Sequence, residues 1–323
     1  MFSATRLGDG PIIYPGLDPS IGDNIQGPSL IRVPDWVSNP LGRYYLYFAY
    51  HEGKYIRLAY ADEVAGPWRI HVPGSLTLEE SLFPVEPPPP PSEQPGAGDF
   101  ASGASIAAER THDAHYEASF THIASPDVHV RDDDQTIVMY YHGLESYGHQ
   151  STRVALSSDG IRFQARPEIL GRTYFRAFEY NGTHYALAMP GVVYRSTDGL
   201  AGFEQGPLLF NKDMRHAALL RDGDTLYVFW TQVGEAPERI LVSAIDLRGD
   251  WMQWKDSPAV EVMRPEHAYE GADAPLEPSI RSTAYGHVNQ LRDPAIHVEG
   301  DTIYLLYAVA GESGIAAATL TRA

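Results

Sequence analysis

Short apolar runs alternate with polar turns along most of the chain, and the alternation repeats itself. The unit is an apolar strand, a polar turn and a second strand rich in tyrosine. It reads LRDPAIHVEGDTIYLLYAVAGE at Leu291–Glu312 and MRHAALLRDGDTLYVFWTQVGE at Met214–Glu235, and these two copies align without a gap. Further copies run over Ser125–Glu145, Tyr174–Gly191 and Gly27–Gly53. A strand ending in Ser/Asp/Gly turn chemistry and then an aromatic follows, as in VALSSDGIRF (Val154–Phe163) and VYRSTDGLAGF (Val193–Phe203). Each unit therefore holds about four strands in roughly 40–50 residues, a period that predicts propeller blades. Five units predict an all-β, five-bladed β-propeller. The last copy ends one strand short, and the apolar Pro11–Tyr14 is the expected closing strand.

Two stretches break the period, at about 77–121 and 255–288. The first holds the proline run Pro87–Pro91, a stiff extended strap, and the small-residue stretch Gly96–Ala108. Neither has the apolar periodicity for a core of its own, so residues 1–323 are expected to form one domain. Both stretches, like the N-terminal arm Met1–Asp23, lead into innermost strands. All three should crowd one face of the ring, where function tends to sit.

Innermost strands line the channel, and strand side chains alternate with period two. Aligning the copies puts Gly27, Ser125, Tyr174, His216 and Asp293 at one depth. Two residues deeper stand Ser29, Asp127, Arg176, Ala218 and Ala295. A cluster of Asp127, Arg176, His216 and Asp293 around one funnel is expected, flanked by Arg215 and Arg292. Gln26 at the first of these strands, and His51, His142 and Gln232 at the ends of second strands, join the candidate substrate contacts. Glu145, Glu235 and Glu312 fall near the same rim. Trp36 and Tyr147 are candidate stacking aromatics. His112, His115 and His122 lie close in sequence, but their loop spacing is a thin metal signal.

Composition narrows the function classes. Lys plus Arg number 24 against 42 Asp plus Glu, a formal charge of −18. That balance argues against a nucleic-acid partner, whose binding rests on cationic neutralisation, and against an anionic membrane surface. With no cysteine in the chain, thiol nucleophiles, disulfides and zinc–thiolate sites are excluded. The N-terminus lacks the apolar core of a signal peptide and no run approaches a membrane span. A cytoplasmic protein is expected.

The segments SPDVHV and RDPAIHV, each followed by a tyrosine-rich strand, resemble the five-bladed propeller glycoside hydrolases of family 43 and its relatives in families 32, 68, 117 and 130. GPSLIRVPDWVSNPLGRYYLYFA and LRDPAIHVEGDTIYLLYAVAGESGIA are similar to a bacterial group of family-43-like proteins. The resemblance implies an Asp base in the first blade, a pKa-tuning Asp in the second and a Glu acid in the third. Asp127 in SPDV matches the second. Gly27-Pro28 stands where the first-blade Asp-Pro is implied, and Arg176 stands near the implied acid. Asp293, in the neighbouring last blade, is then the stand-in for the base. Family 117 implies a His acid, which points to His216 or His142. Some relatives carry a divalent cation in the channel; no ligand set here specifies one.

Glycoside cleavage needs one group to protonate the leaving oxygen and another to activate water or attack carbon. The expectation is a glycoside hydrolase of an oligosaccharide or small glycoside. Asp293 is its base, Asp127 the tuner or second carboxylate, and His216 the acid. Arg176, Arg215 and Arg292 would hold hydroxyls or a carboxylate. The same arginines admit a phosphate-dependent phosphorylase, and the missing first-blade Asp admits a sugar-binding propeller without turnover.

Overall fold

The computed structural model describes residues 2–90 and 114–322. The segment Gly96–Ala108 and His112 lie outside the described residues, as does the side chain of His115. Five four-stranded antiparallel sheets form the ring. The first blade is Gln26–Arg32, Tyr44–Ala49, Tyr55–Ala61 and Arg69–Thr77. The second is Ile123–Arg131, Thr136–Ser146, His149–Ser157 and Gln164–Ala165. The third is Arg176–Tyr180, Thr183–Ala188, Val192–Ser196 and Glu204–Leu208. The fourth is Met214–Asp222, Thr225–Gln232, Ile240–Asp246 and Val260–Met263. The fifth is Arg292–Glu299, Thr302–Ala308 and Ile315–Arg322, completed on its outer edge by the N-terminal strand Phe2–Arg6.

The expected five-bladed β-propeller is therefore the observed fold, with two local corrections. Ring closure comes from Phe2–Arg6, which pairs with Ala318–Arg322 in continuous register. Pro11–Tyr14 contributes only an isolated bridge, Ile13 to Ile315. Alternation explains the choice: Phe2 turns inward onto the Tyr227 and Phe229 rings, with centroids at 5.0 and 5.1 Å. On the same strand Arg6 donates to the buried Glu270, 2.7 Å from Nε. The second correction concerns 255–288. Its beginning is the outermost strand of the fourth blade, so the extra segment starts after Met263.

The core lies between blades. Apolar side chains of adjacent sheets interleave in five clusters, one per interface, such as Tyr45, Tyr47, Ile123, Met139 and Tyr141 between the first two blades. The tyrosine-rich second strands are buried here as core. Trp36 joins this set: it packs against the first-to-second cluster and donates to Asp132 at a strand turn, far in sequence and register from the candidate rim.

Four innermost strands carry the same irregularity: the ladder register slips between Gln26 and Ser29, Ala124 and Asp127, Arg215 and Ala218, and Arg292 and Ala295. The residue at the slip is left-handed in each, Gly27 (φ 63°), Ser125 (50°), His216 (48°) and Asp293 (45°), and Tyr174 (60°), just before the continuous ladder of the third blade, is left-handed at the equivalent position. Each slip is a bulge whose first residue is in the left-handed region. Only Gly27 holds that conformation without cost; each of the others stores on the order of 1 kcal/mol or more.

Phe2→Ala should cost about 3 kcal/mol by cavity formation at the ring closure. Denaturant unfolding measures it, and a loss under about 1 kcal/mol would mean that Phe2–Arg6 does not close the ring.

Candidate active site at the channel mouth

The bulges aim the side chains at the slip into the channel mouth. Tyr174, His216 and Asp293 gather there, each under a tenth exposed. Aromatic rings continue the arc. His51 lies against His122 (6.5 Å between centroids), His122 against His142 (5.8 Å), His142 against Tyr174 (4.7 Å) and Tyr174 against His216 (5.2 Å). Carboxylates close both ends. His216 Nε2 is 3.6 Å from Asp293 Oδ1, and His51 Nδ1 is 3.5 Å from Glu312 Oε2. His51, His142, His216 and Asp293 from the sequence reading thus come together, and Tyr174, His122 and Glu312 belong with them.

His122 directly precedes the second blade's innermost strand, and its Nδ1 lies 2.8 Å from the Phe120 carbonyl. Its sequence signal was drowned by its neighbours in the extra segment. Gln26 is 1% exposed with neither amide atom partnered. His142 Nδ1, Asp293 Oδ1 and Arg176 Nη2 are likewise buried without a hydrogen-bond partner. Such groups are rare in folded proteins, and together they describe a surface built to meet polar atoms.

The electrostatics separate the two carboxyls. Burial and the adjacent Glu312 charge push Asp293 up to about 7, against the pull of Arg292, Arg176 and Arg215. Burial also opposes Glu312, but the His51 and Arg292 charges and a 2.7 Å bond from Asn24 hold it at about 2. Glu312 in turn raises His51 against the effect of burial. Burial lowers His122 to about 4. It drives His142 and His216 well below the usual imidazole value, helped by neighbouring His and Arg charges. His122, His142 and His216 thus stand as neutral imidazoles beside a carboxyl that holds its proton near neutrality.

Several expected placements are corrected. Burial penalises the charged form of both Asp293 and His216, raising the carboxyl and lowering the imidazole, which favours a proton on Asp293. Asp127 faces the other way. It lines a cavity of about 330 Å³ deeper in the channel, and its Oδ2 accepts from His129 Nε2 and Ala177 N, both at 2.7 Å. Arg176 stands between the two carboxylates, its charge acting on both. Asp127 and Asp293 are therefore not a pair across one bond.

Arg215 and Arg292 point between blades. Arg215 Nε donates to Glu238 (2.9 Å), and Arg292 Nη1 donates to Glu312 (2.7 Å) while its Nε and Nη2 bind Gln290. Neither guanidinium is free for a substrate or for phosphate. Gln232 is one residue out of phase. Thr231, paired with Arg215 in the ladder, is the counterpart of His142, and its hydroxyl lies 3.4 Å from His216 Nδ1. Gln232 turns to the opposite face, where it accepts from Asn211 and lines a peripheral groove with Glu235. Glu145 is tied to Arg153 at 2.9 Å. At Gly27, the implied first-blade Asp would place a Cβ 3.2 Å from Ser125 Cα, a tight fit.

The extra segments converge on this mouth. Ser279–Tyr285 crosses it as a strap: Ile280 O accepts from Arg215, Ser282 O from Arg292, and Arg281 donates to Lys212 O in the turn before the fourth blade. Ser282 also meets Glu117 of the first extra segment, and Tyr285 donates to Glu52 of the first blade. The N-terminal arm adds Asn24, whose Oδ1 accepts from the His51 amide. Among the described residues no group of three or more His, Asp or Glu has metal-binding spacing. No described helix is long and apolar enough to cross a membrane.

These features define a five-bladed β-propeller with a polar channel mouth. A β-xylosidase/α-arabinofuranosidase of glycoside hydrolase family 43, from a compost microbial metagenome and solved with xylotriose in calcium-free form, superposes with a TM-score of 0.58. It is 10% identical over 98% of this chain and 94% of its own. A structure from glycoside hydrolase family 130 superposes with a TM-score of 0.62 at 11% identity, over 98% of this chain and 93% of its own. That family is described as one of mannoside phosphorylases containing glycoside hydrolases that target β-1,2 mannosidic linkages in Candida mannan. At these identities the likeness shows the fold. No family model matches the chain. An uncharacterized protein of Acanthamoeba polyphaga mimivirus is 35% identical over 326 residues, covering 93% of this chain and 84% of its own, and the chain belongs to the same family.

Asp293 has a stability signature. Its folded value, about 7, lies above the ordinary 3.8, so its contribution is full below about pH 4 and is lost as pH rises through 7. Asp293→Asn removes that dependence. Denaturant unfolding should show the wild type losing more stability than the variant between about pH 5 and pH 8. Parallel losses would place the carboxyl in the ordinary range.

Proposed function

We propose that the protein is a glycoside hydrolase whose proton donor is Asp293. The observation that carries this reading is the Asp293 carboxyl itself: buried, raised to about 7, and with an unpaired Oδ1 in an arc that holds the neutral imidazoles of His142 and His216. The fold shared with families 43 and 130 supports a sugar substrate at this mouth.

In the proposed reaction Asp293 delivers its proton to the glycosidic oxygen as the bond from the anomeric carbon to that oxygen breaks. Water attacks the anomeric carbon, and its proton passes to a neutral imidazole. His142, across Tyr174 from His216 and Asp293, has the free Nδ1 for this role. Tyr174 offers a ring face to a pyranose or furanose, and the Gln26 amide offers a donor and an acceptor to hydroxyls. His216 positions Asp293 rather than exchanging protons. Asp127 holds the wall of the channel, and Glu312 favours the charged form of His51.

Turnover on a panel of aryl glycosides and oligosaccharides tests the proposal. Asp293→Asn should lower kcat at least ~100-fold, the usual worth of a general acid, while the protein stays folded. Wild-type kcat should fall as pH rises above about 7, because the protonated carboxyl is the active form. A rate that instead rises through pH 7 would make Asp293 a base. Turnover only with added phosphate would make the protein a phosphorylase. Binding without turnover across the panel would leave a sugar-binding propeller.

A further inference from the structure

The cavity of about 330 Å³ beneath Arg176 is separate from the arc of imidazoles. All five innermost strands wall it, and its polar side chains are Arg32, Asp127, His129, Arg176 and His297 with Ser29. Its volume suits a small ligand rather than a single water.

The charges in this wall do not cancel. Arg176 is 4% exposed and has no carboxylate within 4 Å among the described residues. Its Nε donates to Ala217 O at 2.8 Å, and Nη1 reaches the Ser125, Pro126 and Phe175 carbonyls, leaving Nη2 buried and unpartnered. The nearest carboxylate on this side, Asp127, is matched by the His129 imidazole and the Ala177 amide. Where this cavity opens, at the end of the channel opposite Asp293, Arg32 and Arg43 share the single carboxylate of Glu299, at 3.5 and 2.9 Å. His297 Nε2 is also buried and unpartnered. A buried guanidinium with no carboxylate in direct contact and a free N–H is costly. In an acidic chain, this end of the channel is a local excess of positive charge and free donors.

We propose that this cavity binds a small oxyanion, a carboxylate or a phosphate, held by Arg176 and His297. The guanidinium excludes a metal cation from the same place. Bound there, the anion would neutralise Arg176, whose charge also reaches Asp293, and so couple the two ends of the channel.

Isothermal titration of the full chain with inorganic phosphate and, separately, with succinate tests this. One-to-one saturable binding of either supports the site, and which one binds tells phosphate from carboxylate. His297→Leu, at the outer wall, and Arg176→Lys, each checked for folding by circular dichroism, should weaken binding ~tenfold or more. Asp293→Asn should keep it. Absence of saturable binding up to ~10 mM of both anions overturns the proposal. So does binding that survives in His297→Leu, or that disappears in Asp293→Asn, which would put the anion among the imidazoles.

Discussion

Every innermost strand of this ring has one edge with no strand beside it. Its N–H and C=O groups face the channel and need partners. Between the first four blades the chain meets part of that need by stitching one blade to the next through side chains. Ser29 Oγ accepts from Val128 N, Asp127 accepts from Ala177 N, and Arg176 donates to Ala217 O. These stitches lie two residues below the bulges, at the depth where alternation returns each strand to the channel. They fix how closely the blades approach the axis, and so where the residues above them stand.

The bulges turn this frame into a mouth. A left-handed residue at the slip or its equivalent swings its side chain inward and upward, and in four blades that residue is larger than glycine. Tyr174, His216 and Asp293 are held this way, and the neighbouring imidazoles complete the arc. Packing so many titratable groups under a strap excludes water, and burial then decides their protonation. The result is one carboxyl kept low by its cationic neighbours, Glu312, and one raised, Asp293. Divergent values in adjacent carboxyls are how a single site supplies distinct acid and base states.

The fold was legible because a propeller writes its period into the sequence: the copies at Leu291–Glu312 and Met214–Glu235 share even their turn residues. The depth alignment was legible for the same reason, and it placed Gly27, Ser125, Tyr174, His216 and Asp293 on one level. What periodicity does not carry is the direction of a side chain beyond a bulge. Gln232 was read one residue out of phase, which turns a strand residue to the opposite face. Arg215 and Arg292 precede the slip and point between blades, where Glu238 and Glu312 meet them. Protonation was the least visible property, since it depends on burial and on charges from distant segments. The roles proposed for His216 and Asp293 differ from the expected ones on that ground alone. Closure by Phe2–Arg6 was hidden because five residues with weak alternation carry little signal until Tyr227 and Phe229 stand opposite.

The proposed chemistry needs a carboxyl that keeps its proton at neutral pH in the channel mouth. The direct measurement is a pH titration of the Asp293 carboxyl carbon by NMR, assigned by its loss in Asp293→Asn. A midpoint near 7, well above the ordinary 3.8, is the predicted result. A midpoint in the ordinary carboxylate range would contradict the account, because Asp293 would then be ionised throughout the neutral range and could not donate a proton there.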